Sequence, residues 1–383
     1  MKKVAVLGFG VIGAGVCKLL TGSQSPAELK YICDLRDIPG LPYGEKHIKD
    51  FDIILNDSEI DAVIEVTGAR RAAFELSKKA LEAKKSVITS NKEVVAEYGA
   101  ELLQTARENG VSYLFEAAVG GAIPLIRTLR TSLKTDEILQ ICGILNGTTN
   151  YILTKMKDCG ETYESALADA QRLGYAEPDP TADVEGYDTC RKISILSAFI
   201  NGGLIPPQKI STSGISGTSD NVLSLASMLH GKIKLLGIAE KVSGEEGVGA
   251  VTAPCFIPEE NMLYGVDDVF NAVLIKCRYS GDLLLYGRGA GAIPTASAVM
   301  ADVNEALYGK ADETVWHRAE NSYHSGSKKR KAFVVVKGSP DGIDEFKPLE
   351  KCEKDGMTGY ILENAYGLEK LGDALIYACD VLE

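Results

Sequence analysis

The sequence predicts an α/β protein with a doubly wound parallel sheet, followed by an α+β domain with a mixed sheet. Three observations predict this fold class. A short apolar strand at Lys3 to Leu7 leads directly into a glycine-rich turn and an apolar helix. Strand-like and helix-like segments then alternate as far as Phe115, as in a parallel sheet covered by helices. From Glu137 onwards the alternation is less strict, which indicates a second domain of different construction.

The composition is that of a globular protein with small-molecule partners. The 383 residues are 45% hydrophobic and 25% charged, which is enough for two or three domains with a substantial core. The net charge of −12 argues against nucleic acid or an anionic membrane as the main partner.

Cysteine usage and the first strand lead us to expect a cytoplasmic protein. The nine cysteines are scattered without any Cys-x-x-Cys spacing, so neither a disulfide framework nor a zinc knuckle is indicated. The chain opens on the strand at Lys3, so we expect no signal peptide. The most apolar stretch, residues 193–207, is interrupted by Asn201, Gly202 and Gly203 and is too short to span a bilayer.

The glycine-rich turn matches a dinucleotide-binding fingerprint. Gly8, Gly10 and Gly13 form a Gly-x-Gly-x-x-Gly pattern between a strand and a helix, with Val11 and Ile12 before the last glycine. The first glycine makes the tight turn, the second lets the backbone approach a pyrophosphate, and the third lets the helix pack on the strand. We therefore predict a Rossmann-type nucleotide site with these five residues at its phosphate end.

The second strand of this half carries the signal for coenzyme choice. It runs from Leu29 to Cys33 and is followed by Asp34, where an acidic residue would accept the ribose hydroxyls of NAD. Arg36 could instead hold the 2′-phosphate of NADP. The sequence therefore predicts NAD or NADP and leaves the choice open.

Two further strand ends in this half carry polar residues. The predicted elements are strands at 62–66, 86–89 and 112–115, with helices at 71–83 and up to about 109 between them. Thr67 follows the first of these strands, and Asn91 and Lys92 follow the second. Ligands of doubly wound sheets bind at the carboxyl ends of strands, so Lys92 could face the cofactor, although a lysine at such a position, taken alone, is more often a solvated loop residue.

The stretch from Gly174 to Lys192, GYAEPDPTADVEGYDTCRK, has the strongest chemical signal. Asp183 is predicted to cap a helix that starts near residue 184 and continues to about residue 200. On this helix Asp188 and Lys192 are four residues apart and share a face with apolar side chains. Buried ionisable groups need partners, so the pair is a candidate for a functional site.

The run EPDPTADVEGYDTCRK resembles the signature of homoserine dehydrogenases. In that family the glutamate, the two aspartates and the lysine line the amino-acid pocket, which implies Glu177, Asp183, Asp188 and Lys192 as substrate-binding residues. The resemblance extends from Lys3 to about residue 309. It implies NAD(P)-dependent interconversion of L-homoserine and L-aspartate 4-semialdehyde, in the biosynthesis of threonine, methionine and isoleucine.

The resemblance also implies ligands in three loops. The segment SNKEVVAE looks like the family motif whose Asn-Lys pair, here Asn91 and Lys92, lies beside nicotinamide and substrate. Gly289 and Gly291, before a helix that runs to about residue 308, would touch the cofactor. A sodium ion would be held by four backbone carbonyls, those of Glu116, Val119, Gly121 and Ile123. The small residues of that last loop are equally compatible with tight helix-to-sheet packing alone.

Lysine is the predicted proton donor. None of the four histidines lies in a motif, which excludes a His-Asp proton relay of the lactate dehydrogenase type. A lysine whose pKa is lowered by desolvation and by a second ammonium group can donate a proton near neutral pH. Lys192 and Lys92 would form that pair, and the sequence leaves open which of them is the donor.

The predicted domains are a dinucleotide-binding domain at 1–133, completed by about 288–310, and a substrate-binding and dimerisation domain at 134–287. The resemblance implies a homodimer paired through the sheet of the second domain. Segment 312–383 is short for a complete ACT domain; strands are predicted at 332–337 and near 359–363, and a helix at 368–382.

Two alternatives to this activity remain at this point. The protein could be another NAD(P)-dependent amino-acid or semialdehyde oxidoreductase on the same fold. It could also be a catalytically silent regulatory protein that binds a dinucleotide. The intact lysine and EPDP turn favour an enzyme.

Overall fold

The structure, a computed structural model, describes residues 1–37, 40, 42–242, 247–311, 314–319 and 330–382. The chain divides into two compact units. The first unit comprises Met1–Glu137, Ser194–Pro207 and Gly287–Glu320, and the second comprises Ile138–Ile193, Gln208–Tyr286 and Asn321–Glu383. Residues 312, 313, 320–329 and 383 of the predicted C-terminal segment lie outside the described residues.

Both strands and helices occur in the described ranges, and each kind is numbered in chain order. The strands are β1 (Lys3–Leu7), β2 (Glu28–Cys33), β3 (His47–Ile48), β4 (Ile60–Glu65), β5 (Ser86–Thr89), β6 (Tyr113–Leu114), β7 (Ile138–Ile144), β8 (Gly203–Leu204), β9 (Ser211–Thr212), β10 (Gly231–Lys241), β11 (Val248–Pro258), β12 (Phe270–Cys277), β13 (Gly281–Arg288), β14 (His317–Arg318), β15 (Ala332–Lys337), β16 (Pro348–Lys354), β17 (Met357–Leu362) and β18 (Leu375–Val381). The helices are α1 (Val11–Leu20), α2 (Asp52–Asn56), α3 (Arg70–Glu82), α4 (Lys92–Asn109), α5 (Leu125–Arg127), α6 (Gly147–Cys159), α7 (Tyr163–Arg172), α8 (Thr181–Val184), α9 (Tyr187–Asn201), α10 (Asp220–Met228) and α11 (Ala292–Tyr308).

The first unit is built on a six-stranded parallel sheet with the order β3-β2-β1-β4-β5-β6. This is the doubly wound order, and ligands bind such sheets where the strand order reverses, here between β1 and β4. Val4 to Leu7 of β1 are buried without alternation, as expected of a strand with helices on both faces. The predicted fold class is confirmed for this half.

Helix α11 belongs to the first unit although it lies far away along the chain. A Cβ atom added to Gly15 of α1 would lie 3.2 Å from the Cβ of Ala296 in α11, so small residues let the two helices approach closely. Val299 and Val303 of α11 are fully buried in the same core as Val16 of α1.

The second unit is built on a ten-stranded mixed sheet. The order is β13-β12-β7-β10-β11-β18-β15-β17-β16, with β9 added alongside β11. β10 pairs antiparallel with β7 and β11, whereas β18 and β9 run parallel to β11. Separate apolar clusters cover the sheet: one includes Ile152 of α6 and Leu225 of α10, and another includes Cys142 and Leu274. The predicted α+β half with a mixed sheet is confirmed.

The predicted helix at 368–382 is wrong. A 3₁₀ turn, Leu368–Ala374, contains Gly372 at φ +52°, and the strand β18 follows. β18 pairs antiparallel with β15 and parallel with β11, and these long-range hydrogen bonds outweigh any local helical preference. β15 to β18 are ordered as a split βαβ module, with short 3₁₀ turns at the positions of its helices.

The predicted continuous helix at 184–200 is wrong at its beginning. α8 ends at Val184, Gly186 has φ +82°, and α9 begins at Tyr187. A Cβ at Gly186 would lie 3.1 Å from Cγ2 of Thr252, so both the backbone conformation and the space favour glycine. Asp183 consequently lies inside α8 and is not the N-cap of the longer helix.

Several elements were not predicted from the sequence, including α10, β13 and β16. β13 and β16 are the two edge strands of the mixed sheet, and both are largely exposed, so they have no continuous apolar run. None of the helices in the described ranges combines the length and apolarity needed to cross a membrane.

Candidate functional site

The glycine-rich turn between β1 and α1 has the geometry of a phosphate-binding loop. Gly8 has φ +92°, and a Cβ there would lie 2.9 Å from Cα of Thr67. A Cβ on Gly13 would lie 2.1 Å from the carbonyl oxygen of Gly8, whereas nothing lies within 4 Å of one on Gly10. Open space at Gly10 and an N-terminus of α1 without a side-chain cap fit the pyrophosphate of a dinucleotide.

The other residues of the fingerprint lie at the beginning of α1. Val11 is the first residue of the helix and is 74% exposed, while Ile12 is half-buried against the core of the first unit. An exposed valine at a helix N-terminus leaves the backbone N–H groups of the first turn accessible to an anion.

Asp34 follows β2 and is tied both to the glycine-rich turn and to Arg36. Its carboxylate accepts hydrogen bonds from the backbone N of Phe9 at 2.8 Å and from Arg36 Nε and Nη2 at 2.9 and 2.7 Å. The guanidinium of Arg36 holds the pKa of this carboxyl well below its usual range. Asp34, the predicted signal for NAD, and Arg36, the predicted signal for NADP, therefore form one ion pair.

The carboxyl ends of β4 and β5 are joined through Glu65, which is fully buried. Thr67 donates to Glu65 from its backbone N at 2.8 Å and from its hydroxyl at 2.7 Å, and the hydroxyl of Thr89 donates at 2.7 Å. Asn91 accepts from the backbone N of Val94 and so caps α4, whose first residue is Lys92. Thr67, Asn91 and Lys92 thus lie on two connected turns.

The loop predicted to hold a sodium ion is closely packed. Gly121 has φ +56°, and a Cβ there would lie 2.5 Å from the carbonyl carbon of Gly289. Val119 is buried, and the carbonyl oxygen of Ile123 accepts a hydrogen bond from the backbone N of Leu125 at 2.7 Å. Gly291, with φ +123°, is the N-cap of α11. The two predicted glycine-rich loops of the first unit are therefore in contact.

Glu116 uses its side chain within this loop region. The carboxylate accepts from the backbone N of Ile126 at 3.0 Å and from that of Arg127 at 2.7 Å. The backbone N of Glu116 donates to Asp302 Oδ2 at 2.7 Å. Burial raises the pKa of Glu116, and it raises the pKa of Asp302 to about 7. Across the described ranges, no three or more His, Cys, Asp or Glu side chains are grouped to hold a metal ion.

In the second unit, Lys192 is buried and oriented by two acceptors. Its Nζ donates to Asp188 Oδ2 at 2.6 Å and to the carbonyl oxygen of Leu145, the residue after β7, at 2.6 Å. Asp188 is 5% exposed and Lys192 is 9% exposed. The predicted i, i+4 pair on a buried face of α9 is confirmed.

Asn146 connects this pair to Asp183, and this connection was not predicted from the sequence. Its side-chain amide donates to Asp183 Oδ1 at 2.7 Å and to Asp188 Oδ2 at 2.8 Å. Its carbonyl oxygen accepts from the backbone N of Thr149 at 2.9 Å and so caps α6. Asp183, Asp188 and Lys192 are thereby brought together around one asparagine.

Glu177 lies apart from this cluster. It is exposed, and its side chain has no hydrogen bond or ion pair with any part of the chain that the structure describes. Its backbone carbonyl accepts from the side chain of Gln171 at 3.1 Å. The structure therefore places three of the four predicted substrate residues together and leaves the fourth on the surface.

The fold and these sites define a class of protein. A doubly wound sheet with a glycine-rich phosphate loop is a nicotinamide-dinucleotide-binding architecture. A buried ammonium held by a carboxylate is a group that can exchange a proton with a reacting oxygen. The class is that of a nicotinamide-dependent oxidoreductase.

Comparison with known proteins gives the particular family. Residues 8–116 match the model of the homoserine dehydrogenase NAD-binding domain, and residues 124–303 match that of homoserine dehydrogenase. The chain is 37% identical to the homoserine dehydrogenase of Lactococcus lactis over 327 residues, which cover 82% of this chain and 76% of that protein. The chain belongs to the homoserine dehydrogenase family.

Solved structures agree with this assignment. A homoserine dehydrogenase from Thiobacillus denitrificans superposes with a TM-score of 0.87 at 30% identity, covering 100% of this chain and 98% of that one. A hyperthermophilic archaeal homoserine dehydrogenase in complex with NADPH gives a TM-score of 0.68 at 26% identity, covering 80% of this chain and 97% of that one. The activity is therefore NAD(P)-dependent interconversion of L-homoserine and L-aspartate 4-semialdehyde, and neither alternative is supported.

Proposed function

We propose that Lys192 exchanges the proton with the reacting oxygen of the substrate. The observation that carries this assignment is the buried ammonium of Lys192, directed by Asp188 Oδ2 and by the carbonyl oxygen of Leu145, each at 2.6 Å. Hydride exchange is the chemistry that the nicotinamide coenzyme supplies when bound. Reduction of the aldehyde creates an alkoxide, and an oriented ammonium at that oxygen can donate the proton, then recover one in the reverse direction.

Asp183 and Asp188 are proposed to receive the α-ammonium group of the amino-acid substrate. Two carboxylates around one asparagine suit a cationic group, because charge-assisted hydrogen bonds are about twice as strong as neutral ones. Glu177 is proposed to join them only when substrate is present, since it is exposed in this structure. Lys92, on the first turn of α4, is proposed to lie beside the nicotinamide.

The coenzyme is proposed to be NAD at least as readily as NADP. Asp34 stands where the ribose hydroxyls would bind, and a carboxylate there repels a 2′-phosphate. Two observations favour NADP. Arg36 pairs with this carboxylate and screens its charge, and the archaeal homoserine dehydrogenase was solved in complex with NADPH. The proposed contacts are Gly8, Gly10, Val11, Ile12, Gly13, Asp34, Arg36, Thr67, Asn91, Lys92, Gly289 and Gly291.

A sodium ion is proposed to bind the carbonyl oxygens of Glu116, Val119, Gly121 and Ile123. Positive φ angles at Gly120 and Gly121 turn this loop sharply, which is a way of directing successive carbonyls towards one point. A hard cation held only by neutral oxygens binds weakly, so activity should depend on sodium concentration.

We further propose the domain roles, the assembly and the cellular setting. Residues 1–133, completed by about 288–310, would bind the dinucleotide, and residues 134–287 would bind substrate and form a homodimer. Within the C-terminal segment, β15 to β18 belong to the ten-stranded sheet of the second unit. The enzyme would act in the cytoplasm, in threonine, methionine and isoleucine biosynthesis.

Steady-state kinetics test the proposed coenzyme and metal. NAD and NADP are each reduced by L-homoserine in sodium and in potassium buffers of equal ionic strength. We expect kcat/KM for NAD to equal or exceed that for NADP, and activity to fall when sodium is replaced. A kcat/KM more than about tenfold higher for NADP would overturn the coenzyme assignment; a tenfold ratio corresponds to about 1.36 kcal/mol of transition-state binding.

A further inference from the structure

We infer that Glu65 is a positioning residue for the reaction: it holds the Thr67 turn and the turn that carries Lys92. Glu65 is the last residue of β4 and is 0% exposed. The inference rests on the proposed role of Lys92 beside the nicotinamide. Glu65 itself is too deeply buried to touch substrate or coenzyme, so it acts through other residues.

The first branch of the contact runs along the same strand end. One oxygen of Glu65 accepts from both the backbone N and the hydroxyl of Thr67, at 2.8 and 2.7 Å. Thr67 in turn lies against the glycine-rich turn, where a Cβ on Gly8 would be only 2.9 Å from Cα of Thr67. Any shift of the Thr67 turn would therefore displace the phosphate loop.

The second branch crosses to the neighbouring strand. The other oxygen of Glu65 accepts from the hydroxyl of Thr89 at 2.7 Å, and that hydroxyl accepts from the backbone N of Asn91 at 2.9 Å. Since the carboxylate can only accept, the Thr89 proton must point towards Glu65, which leaves its lone pairs for Asn91. This relay fixes the backbone one residue before Lys92.

The charge of Glu65 is not what a purely structural role would require. No lysine or arginine of the described residues pairs with it, and all its donors are neutral. Burial raises the pKa of Tyr113 well above the usual range, and the negative charge of Glu65 adds to this shift. A buried ion without a countercharge costs more to desolvate than a neutral amide, so a neutral residue would serve stability alone at least as well.

The variant Glu65→Gln tests the inference because it keeps the shape and removes the charge. Its amide nitrogen would have to face either the Thr67 donors or Thr89, which reverses part of the relay. A misplacement of about 1 Å can cost about 100-fold in rate. We expect kcat to fall about 10- to 100-fold while the thermal midpoint changes by only a few degrees.

Three companion variants separate positioning from general damage. Thr89→Val breaks the relay at its middle link and should reproduce the loss of kcat. Thr89→Ser keeps the hydroxyl and should retain most of the wild-type kcat. Glu59→Gln removes an exposed carboxylate of the same unit, paired with Lys3 and Lys30, and should leave kcat unchanged.

A double-mutant cycle with Lys92→Ala decides the route. If Glu65 acts through the Lys92 turn, adding Glu65→Gln to Lys92→Ala should lower kcat by less than about threefold, since coupled residues are not additive. Unchanged kcat in Glu65→Gln, or an undiminished further loss in the double variant, would overturn the inference. If Glu65→Gln does not fold, the Thr89→Val and Thr89→Ser pair gives the same decision. Unchanged kcat in Lys92→Ala alone would instead overturn the proposed role of Lys92.

Discussion

The side-chain amide of Asn146 donates hydrogen bonds to Asp183 Oδ1 at 2.7 Å and to Asp188 Oδ2 at 2.8 Å, while its carbonyl oxygen caps α6. One residue therefore separates two carboxylates that would otherwise repel each other and anchors them to a helix N-terminus. Asp188 also accepts from Lys192, so the position of Asn146 affects the proposed proton donor as well.

Replacement of Asn146 should separate substrate binding from stability. Asn146→Ser keeps a good N-cap but cannot donate to both carboxylates, whereas Asn146→Ala loses both functions. We expect KM for L-homoserine to rise about tenfold in both variants, because a tenfold rise corresponds to the loss of about one hydrogen bond to a charged group. Only Asn146→Ala should also lose about 1 kcal/mol of unfolding free energy in urea. A normal KM in Asn146→Ser would contradict this role.

Removal of Lys192 should affect chemistry more than coenzyme binding. General acid catalysis is worth about 10²–10⁴-fold, so Lys192→Ala should lower kcat by that order. The coenzyme dissociation constant should remain nearly unchanged, because the predicted coenzyme contacts are all in the first unit. Lys92→Ala tests the other assignment. Near-normal kcat in Lys192→Ala together with an inactive but folded Lys92→Ala would exchange the two roles.

Replacement of Arg36 should shift coenzyme preference towards NAD. Arg36→Ala removes the guanidinium and leaves the Asp34 carboxylate unscreened against a 2′-phosphate. We expect kcat/KM for NADP to fall about tenfold or more, the value of a charge-assisted contact, while that for NAD changes less than about threefold. Arg71→Ala, which removes an exposed i, i+4 pair with Glu75, is the matched control. A larger loss with NAD than with NADP would show that Arg36 serves a different purpose.

Lys234 predicts a specific pH dependence of stability. Its ammonium is buried beneath α6 and donates to Asn150, Val266 and Asp267, each at 2.8 Å. Burial lowers its pKa from 10.5 to about 8, although Asp267 opposes the shift. Between these two values the unfolded chain binds more protons than the folded one, so this group makes stability rise with pH in that window.

The measurement is urea unfolding of the wild type and of Lys234→Met from about pH 7 to about pH 10. Below about pH 8 the difference in unfolding free energy between them should be constant. Above it the difference should move in favour of the wild type, by on the order of 2 to 3 kcal/mol at about pH 10. Comparison of the two proteins cancels the titration of other groups. A difference that is flat or falls over this range would contradict the lowered pKa.

The proposed homodimer is tested by light scattering at micromolar concentration. We expect a mass of twice the 41.0 kDa chain mass. A mass of one chain at this concentration would refute the proposed assembly. Dilution to nanomolar concentration should then give the dissociation constant, and loss of activity in step with dissociation would show that the dimer is the working form.

Features with a local cause could be predicted from the sequence. The glycine pattern at Gly8, Gly10 and Gly13 requires only backbone conformation and close approach within one turn, and the structure has both. The spacing of Asp188 and Lys192 is a property of one helix, and the ion pair forms as predicted. Alternating apolar segments likewise indicated the parallel sheet and the mixed sheet, because burial on a strand or helix repeats within a few residues.

Tertiary structure decided the features that join distant segments. Residues 375–381 form a strand because β15 and β11 supply their hydrogen bonds, which no pattern inside the segment records. Asn146 meets Asp183 and Asp188 across 37 and 42 residues, and Glu65 meets Thr89 across 24. No local pattern in the sequence indicates these contacts, since the choice of partner depends on how the sheets and helices pack. Motif spacing therefore indicated candidate residues for the chemistry, and packing determined which of them are held together.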